Sequence, residues 1–365
     1  MPKQAGVTDQ DAQIDIDASG THPRTLILWV TTDCNLRCVY CYANGGDNKA
    51  YMGWDVAKRA IDLVAEGADC FKVQLAGGEP LLNFGLIERI VFFIHDLGAD
   101  ASIQLQTNAT LISPAIASRL RALGIGVGVS LDGVPAINDH LRPFADGHGS
   151  THSVINGIRN LRDAGISVGM TSVLSSTSVK GLSSLVDLAS YLGNVAGISL
   201  DPLRPLGRGS CDMMPSPHLT AEHLYKAIKR SEYLAGSGGN PVRFREVERM
   251  RCLLKTGGVR RYRCYFDAYQ SLMVCPNGDA YPCASLHHPD FRLGNILEPR
   301  FWDTISERLR DARRSIKTPH KCMTCSELWL CGGPCPAGVF SRAGGAEIEC
   351  AVKRVFVKYV TGSLH

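Results

Sequence analysis

The stretch RTLILWVTTDCNLRCVYC, residues 24–41, sets both the fold and the chemistry of the chain. Its first half is short, apolar and rich in β-branched residues, which predicts a buried strand. Its second half places Cys34, Cys38 and Cys41 within eight positions. The predicted strand therefore ends in a group of thiols, and the carboxyl ends of parallel strands are where α/β barrels place their chemistry.

The strand-then-helix rhythm that begins here continues to about residue 209. Further strand-like runs are FKVQLAGGEP, ASIQLQTNAT, IGVGVSLDG, ISVGMTSVL and VAGISLDPLRPLGRG, and helical runs separate them. Six strand–helix units predict a parallel sheet covered by helices. Because eight units close a full barrel, we expect an α/β fold with a partial (β/α)6 parallel barrel. The cysteine loop, GGEP, QTN and SLDG each follow a predicted strand.

The bulk properties of the 365 residues favour a soluble, cytoplasmic protein. The formal net charge of +4, from 39 basic and 35 acidic residues, is too balanced to favour a nucleic-acid partner. The N-terminal residues lack the apolar region of a signal peptide, and no apolar run is long enough to cross a membrane. In a reducing compartment the 14 cysteines indicate metal or iron–sulfur ligation rather than disulfides.

The rhythm and the composition together predict five segments. These are a flexible N-terminal arm (1–23), the partial barrel (24–235), a basic, irregular bridging segment (236–263), a small cysteine-rich domain (264–350), and a C-terminal helix with its tail (351–365).

The number of thiols in the N-terminal loop is informative. Three thiolates on a four-iron cluster leave one iron without a protein ligand, so another molecule can bind there. The spacing Cys-x3-Cys-x2-Cys, with Tyr40 before the last cysteine, resembles the signature of the radical S-adenosylmethionine (SAM) superfamily. The resemblance implies a [4Fe–4S] cluster that binds SAM and splits it reductively into methionine and a hydrogen-abstracting 5′-deoxyadenosyl radical. By spacing alone, a zinc site is the alternative.

The motif GGEP, which includes Gly77, Gly78 and Glu79, closes the second predicted strand. A glycine-rich turn lets backbone groups approach a ligand closely, and a carboxylate can interact with a cationic amine. In this position the motif matches the one that contacts the SAM amine in the family.

Three more residues are carried over from the resemblance as SAM contacts. Ser130, in SLDG, and Arg142, twelve residues later, supply a hydroxyl and a guanidinium that suit a ribose and a carboxylate. Asn108 of QTNAT is the third. The structural alternatives are a turn residue for Asn108 and Ser130 and a surface ion pair for Arg142.

A second group of cysteines resembles the SPASM domain, an auxiliary iron–sulfur module that follows the barrel in some radical SAM enzymes. Its members are Cys264, Cys283, Cys322, Cys325, Cys331, Cys335 and Cys350. A zinc ribbon would use only four of these thiols. The resemblance implies two auxiliary clusters, one on Cys322, Cys325, Cys331 and Cys350, the other on Cys264, Cys283 and Cys335.

Two fully ligated four-iron clusters need eight thiolates, so one more ligand is required. Cys252 is the candidate, Cys275 is the alternative, and an open iron that binds substrate is a third possibility. We expect Cys70 to be a small buried thiol and Cys211 to be a loop residue.

The resemblance implies an enzyme that oxidatively modifies a peptide or protein and takes electrons from a reductant such as flavodoxin or ferredoxin. Sulfatase maturases carry an Asp after the cysteine of YPC, but here Ala284 follows Cys283 and cannot accept a proton. The 23 residues before the first strand are too few for a peptide-docking domain. A leader peptide would therefore be recognised by the surface of the core or by a separate protein. The basic stretch from Lys226 to Arg263 is the first place to look, unless that stretch is only a solvated surface.

Two other functions fit the sequence. One is modification of a small molecule or tetrapyrrole, because SPASM-type proteins also act in haem pathways. The other is an iron–sulfur electron carrier or sensor, which would leave the SAM-like loops without a purpose.

Overall fold

The structure is a computed structural model that describes residues 23–260, 262–341 and 344–362. The predicted N-terminal arm therefore lies, except for Pro23, outside the described residues. Within these ranges the strands are β1 (Thr25–Thr31), β2 (Cys70–Gly77), β3 (Asp100–Thr107), β4 (Gly126–Ser130), β5 (Val168–Leu174), β6 (Val195–Pro202), β7 (Arg243–Phe244), β8 (Ser271–Val274), β9 (Asp279–Tyr281) and β10 (Gly294–Asn295).

Helices follow most of these strands. They are α1 (Trp54–Ala65), α2 (Phe84–Asp96), α3 (Pro114–Ala122), α4 (Pro135–Leu141), α5 (Thr151–Asp163), α6 (Leu182–Leu192), α7 (Pro217–Gly236), α8 (Arg245–Thr256), α9 (Phe301–Arg314), α10 (His320–Met323), α11 (Leu328–Cys331), α12 (Pro336–Phe340) and α13 (Gly345–Val360). Short 3-10 turns lie at Pro80–Asn83, Ser178–Gly181, Cys211–Met213, Ala284–Leu286 and Pro289–Phe291.

Strands β1 to β6 form the predicted parallel sheet in chain order. Each strand turns one set of alternating residues, such as Leu26 and Leu28 of β1, toward the helices, where they are fully buried. The helices pack against this face through apolar stripes; α2, for example, buries Ile87, Ile90 and Ile94. The α/β partial-barrel prediction is confirmed.

The concave face of the sheet is more polar than its helix-covered face. The paired residues Gln74 and Gln104 lie on it, and Ser130 pairs with Thr171 on the same face. Gly128, whose added Cβ would come within 2.4 Å of the Gln106 side chain, leaves room there for that amide. The interior of the barrel is therefore lined by polar side chains and has open space between them.

The cysteine-rich region continues the same sheet. Strand β8 pairs in parallel with β1, from Thr25 opposite Ser271 to Leu28 opposite Val274, and β9 and β10 extend that edge. At the other edge β7 pairs with β6. The sequence predicts a small domain that follows the barrel, but in the structure this region shares its hydrogen-bonded sheet.

Two predicted segments differ from the structure in their secondary structure. The bridging segment 236–263 is not irregular, because it contains β7 and α8. The last helix begins at Gly345 rather than near residue 351, so Cys350 lies inside α13. Helix α13 starts early because Gly344 takes a positive φ of 78° at its cap, and because Ile348 joins Val352 and Phe356 on a buried face against α7 and α8.

Cys70 is also placed differently from the prediction. As the first residue of β2 its thiol is exposed rather than buried, whereas Cys211 lies in an exposed turn as expected. No helix in the described part of the chain combines the length and apolar character needed to span a membrane.

Candidate active site

The loop after β1 is held by its own backbone around three free thiols. The sulfur of Cys34 accepts a hydrogen bond from the amide of Leu36 at 3.4 Å, and the sulfur of Cys41 accepts one from Gly45 at 3.4 Å. The guanidinium of Arg37 donates to the carbonyl oxygen of Cys34 at 2.7 Å and closes the loop. Backbone amides of the loop thus hold the sulfurs of Cys34 and Cys41 in place.

Burial raises the pKa of Cys34 to about 12, and the nearby charges of Cys38 and Cys41 add to the effect of burial. Burial likewise raises the pKa of Cys38. Cys34, Cys38 and Cys41 also pack in one cluster with Leu36 and Tyr40, so the three thiols are neighbours. A metal that binds here must displace their protons, as thiolate sites do. Across residues 23–260, 262–341 and 344–362, no three Cys, His, Asp or Glu side chains surround a single point as a mononuclear ion requires.

The GGEP turn packs directly beneath this loop. A Cβ on Gly77, whose φ is +142°, would lie 2.1 Å from the carbonyl oxygen of Thr31, and one on Gly78 would lie 2.2 Å from that of Asp33. The amides of Gly78 and Glu79 donate to the same two oxygens at 2.9 and 2.8 Å. Only glycine allows this approach, so the turn positions the base of the cysteine loop.

The carboxylate of Glu79 is fully buried and has three protein donors. It accepts hydrogen bonds from the amide of Leu81 at 3.1 Å, the hydroxyl of Thr107 at 2.7 Å and the amide of Asn108 at 2.8 Å. Burial raises the pKa of Glu79, and these hydrogen bonds oppose that effect. The side chain predicted to contact the SAM amine therefore fastens the end of β2 to the end of β3.

Asn108 lies beside the N-terminal thiols. Its amide nitrogen donates to the side-chain oxygen of Asn35 at 2.9 Å and lies 4.0 Å from the sulfur of Cys34. Ser130 lies two strands away in the sheet order from β2, where its hydroxyl accepts a hydrogen bond from Gln106 at 3.0 Å. Both predicted contact residues thus lie at the carboxyl ends of their strands.

Arg142 is not on the surface. It is buried in a triad with Tyr40 and Asp132, where its Nη1 donates to the phenol oxygen at 2.9 Å and lies 3.8 Å from the carboxylate. The phenol of Tyr40 donates to Asp132, and the amide of Val173 donates to the other carboxylate oxygen at 2.8 Å. The triad ties the cysteine loop to the ends of β4 and β5. It leaves Arg142 Nε buried and without a hydrogen-bond partner among the described residues.

The SPASM-like cysteines form two groups of neighbours. Cys264, Cys283 and Cys335 pack around Phe266 and Leu286. Burial raises the pKa of Cys283 to about 12, and the charges of Cys335 and Cys264 raise it further. In the second group, burial and then the charges of the other three thiols raise the pKa of Cys322. That second group consists of Cys322, Cys325, Cys331 and Cys350.

The two candidates for an eighth ligand lie elsewhere. Cys275 packs in an apolar cluster with Trp29, Met273 and Tyr281, and burial raises its pKa to about 12. Cys252 is a partly buried residue of α8. The structure groups neither with the trio of Cys264, Cys283 and Cys335.

Sequence reasoning missed residues between the N-terminal and auxiliary thiols. Tyr42 keeps 38% of its surface accessible, yet burial raises its pKa, and the charges of Cys41, Asp201 and Cys283 add to this rise. Asp201, at the end of β6, is also exposed while burial raises its pKa. Asp201 faces a partly enclosed space at the end of β6. The signal for Asp201 was available, since SLDP at residues 199–202 repeats the SLDG that ends β4.

Part of this space is a cavity of about 270 Å³ at the end of β6. Asp201 and Arg204 line it together with Cys264 and Cys335 of the first auxiliary group. The charges of Arg204 and Arg245 partly offset the effect of burial on Asp201. The cavity thus joins the mouth of the barrel to the auxiliary cysteines.

Comparison with known proteins identifies the fold and the family. The profile of the radical SAM superfamily matches residues 30–181, and that of SPASM, an iron–sulfur cluster-binding domain, matches residues 264–326. Fe-coproporphyrin III synthase of Methanosarcina barkeri is 31% identical over 342 residues, which are 85% of this chain and 82% of the relative. The chain belongs to the radical SAM superfamily. Radical SAM cores bind a [4Fe–4S] cluster and SAM, and the SPASM match adds an iron–sulfur cluster-binding domain.

Other proteins also match over most of the chain. An uncharacterised protein of Methanocaldococcus jannaschii is 36% identical over 273 residues, 74% of this chain and 88% of the relative. The mycofactocin maturase of Mycobacterium tuberculosis is 28% identical over 340 residues, 90% of this chain and 83% of the relative. The solved structure of anSMEcpe, an anaerobic sulfatase maturase with bound AdoMet, superposes with a TM-score of 0.77 at 20% identity and covers 94% of each chain. This last likeness shows the fold.

Proposed function

We propose that this radical SAM enzyme oxidatively modifies a peptide or protein substrate. The observation that carries the proposal is the cavity at the end of β6, where Asp201 of the barrel lies together with Cys264 and Cys335 of the first auxiliary group. The likeness to a mycofactocin maturase over 90% of the chain supports a maturase.

In this proposal Cys34, Cys38 and Cys41 hold the N-terminal [4Fe–4S] cluster. The donor set fits, because three free thiols are neighbours and are drawn together by loop hydrogen bonds. Bound there, the cluster supplies the electron that splits SAM. The glycine turn at residues 77–78 keeps the loop in place, as its backbone contacts require.

We assign the SAM-contact role to Asn108, Ser130 and Arg142. Asn108 supplies an amide beside Cys34, and Ser130 supplies a hydroxyl at the end of β4. Arg142 supplies Nε, its buried donor without a hydrogen-bond partner in the described structure. A buried donor of this kind is costly unless a ligand satisfies it. Tyr40 acts indirectly, since its phenol positions Arg142.

Asp201 is the carboxylate that we assign as proton acceptor from the substrate. Oxidation of a substrate radical releases a proton as well as an electron, so a base must lie near the reacting carbon. Ala284 provides none and packs against the apolar cluster of Trp29 and Met273. The charge of Asp201 is close enough to raise the pKa of both Tyr42 and Asp132, which places Asp201 on the side of the barrel where SAM would bind.

A tetrapyrrole is the second candidate substrate. The identity of 31% to Fe-coproporphyrin III synthase exceeds the 28% to mycofactocin maturase. The two candidates are separated by incubating the reduced holoenzyme and SAM anaerobically either with peptides encoded by neighbouring genes or with iron coproporphyrin III. A mass change only in the porphyrin would overturn the maturase proposal.

The cluster assignment has its own test. The holoenzyme should hold about twelve irons, and the triple variant C34A/C38A/C41A should keep about eight while losing SAM cleavage. The matched control C70A/C211A changes two exposed thiols and should retain both properties. Formation of 5′-deoxyadenosine by the triple variant would refute the assignment of the N-terminal loop.

A further inference from the structure

A basic groove lies on the surface of the cysteine-rich region, away from the barrel mouth. Its volume is about 620 Å³, and all its lining residues fall between Val259 and Gly332. The described residues that line it supply four guanidiniums and one carboxylate, and Tyr262, Tyr269 and Trp329 contribute aromatic surface. The arginines are Arg260, Arg263, Arg313 and Arg314.

The positive charge of this groove is only partly neutralised. Arg260 pairs with Glu246, whereas Arg263 and Arg313 share the carboxylate of Asp267. Arg314 is largely solvent-exposed, with 75% of its side chain accessible and only Asp311 at 3.4 Å beside it. Residues 308–321 add further exposed cations, among them Lys317, which lies five positions before Cys322 in the chain. The stretch from Lys226 to Arg263 is the sequence-based candidate for binding a leader peptide. Many of its cations form ion pairs with carboxylates of this chain, as Lys226 does with Glu222.

The groove also lies over the auxiliary cysteines. Helix α11, which contributes Leu328 and Trp329 to its wall, ends at Cys331, and Arg263 directly precedes Cys264. The exposed side chain of Met323, with 70% of its surface accessible, follows Cys322 in the chain. This surface therefore brings a visiting molecule close to both auxiliary groups.

We infer that the basic groove is the docking surface for an acidic electron-transfer protein. The inference rests on the proposed function, which requires single electrons to enter or leave the enzyme. A cationic rim around apolar and aromatic side chains suits transient association with an acidic partner, because opposite charges steer the encounter. An acidic peptide substrate fits less well, since the reacting carbon must reach the barrel mouth and none of the described lining residues belongs to β1–β6.

The test uses the holoenzyme and a reduced flavodoxin as the probe. Each productive encounter oxidises the flavodoxin by one electron and reduces the enzyme by one, and the flavin absorbance follows this in a stopped-flow instrument. The variant R314E/K317E should lower the second-order rate constant at low salt at least about tenfold. The matched control R59E/K180E makes the same change of charge on exposed barrel residues and should react like the wild type.

Three comparisons make the outcome decisive. The rate of the wild type should fall with added salt toward that of R314E/K317E. SAM cleavage driven by dithionite should be equal in all three proteins, which separates this inference from the proposed function. Equal flavodoxin rates for R314E/K317E and R59E/K180E would overturn the inference. Unchanged flavodoxin rates with loss of binding to an acidic peptide would instead identify a peptide site and equally overturn it.

Discussion

Arg204, in the loop that follows β6, donates a hydrogen bond from Nη2 to the sulfur of Cys335 at 3.5 Å. Its Nη1 lies 3.3 Å from the carboxylate of Glu349, which in turn accepts a hydrogen bond from the amide of Cys335. Glu349 directly precedes Cys350 of the second auxiliary group. One buried guanidinium thus links the barrel with both groups of auxiliary cysteines.

We expect R204M to lower the reduction potential of the auxiliary cluster that Cys335 is proposed to hold. Hydrogen bonds to cluster sulfurs stabilise the more negative, reduced state, so losing one favours oxidation. Turnover should fall by about tenfold to a hundredfold, as for other residues that orient metal ligands. Potentiometric titration followed by electron paramagnetic resonance measures the shift. R204K should recover part of it, and R59M, on the exposed face of α1, should show none.

Because the GGEP turn is closely packed, adding a single methyl group at Gly78 should have a large effect on the iron content of the holoenzyme. In G78A the new Cβ would meet the carbonyl oxygen of Asp33 at 2.2 Å, so the cysteine loop must move. We expect the holoenzyme to lose about four irons while keeping its auxiliary iron. G85A is the matched control, because a Cβ on Gly85 of α2 meets nothing within 4 Å. Full iron content in G78A would contradict the positioning role of the turn.

Glu79 should be needed for stability even without SAM. E79A leaves the amides of Leu81 and Asn108 and the hydroxyl of Thr107 without their acceptor, which costs about 3 kcal/mol of the free energy of unfolding. Denaturant unfolding in the absence of SAM measures this loss. E88A, which breaks an exposed ion pair with Arg119, should cost less than about 1 kcal/mol. If E79A instead unfolds like the wild type and only SAM affinity falls, the amine contact expected from the motif is correct.

The buried ion pair of Glu246 and Arg260 predicts a defined pH dependence. Burial opposes ionisation of Glu246, but the charges of Arg260, Lys353 and Arg249 outweigh it and lower its pKa from 4.5 to about 2. Because the folded pKa is depressed, the stabilisation is complete above about pH 4.5 and disappears as the pH falls toward 2. It amounts to about 3 kcal/mol.

The comparison of wild type with E246Q tests this. The difference in unfolding free energy should be constant between about pH 8 and pH 5.5, where the carboxylate is ionised in both the folded and unfolded states. Below about pH 4.5 the difference should shrink as the pH falls toward 2, and a difference that stays constant there as well would mean that Glu246 titrates near its ordinary pKa in the folded protein.

The parts of the structure that the sequence predicts are those with a local pattern. Strands β1 to β6 follow from short apolar runs, and the thiol loop follows from the spacing of Cys34, Cys38 and Cys41. The pairing of β8 with β1 joins residues nearly 250 positions apart, and a four-residue strand carries no information about its partner. Helix α8 was missed because its charged residues, such as Arg249 and Glu246, pair inside the molecule instead of forming a polar outer face.

In the candidate site, too, the sequence predicts residues that belong to a local motif but not the contacts that depend on the tertiary structure. Glycines 77 and 78 were identified from the motif, but their contact with the carbonyl oxygens of Thr31 and Asp33 depends on two strands meeting in space. Arg142 was expected to bind a ligand or to form a surface ion pair, and its burial with Tyr40 and Asp132 depends on the path of the loop after β4. For Asp201 the sequence offered only a weak signal, namely that the tripeptide SLD at residues 130–132 recurs at residues 199–201.

Because β8 pairs with β1, the barrel cannot be separated from the cysteine-rich region without exposing an edge of the sheet. A barrel cut after residue 260 would leave the backbone donors and acceptors of β1 along an open edge, which invites association with other chains. During synthesis that edge stays uncovered until more than two hundred residues later have left the ribosome. Grafting this catalytic barrel onto a foreign C-terminal module would therefore succeed only if the graft also brings a strand to close the gap.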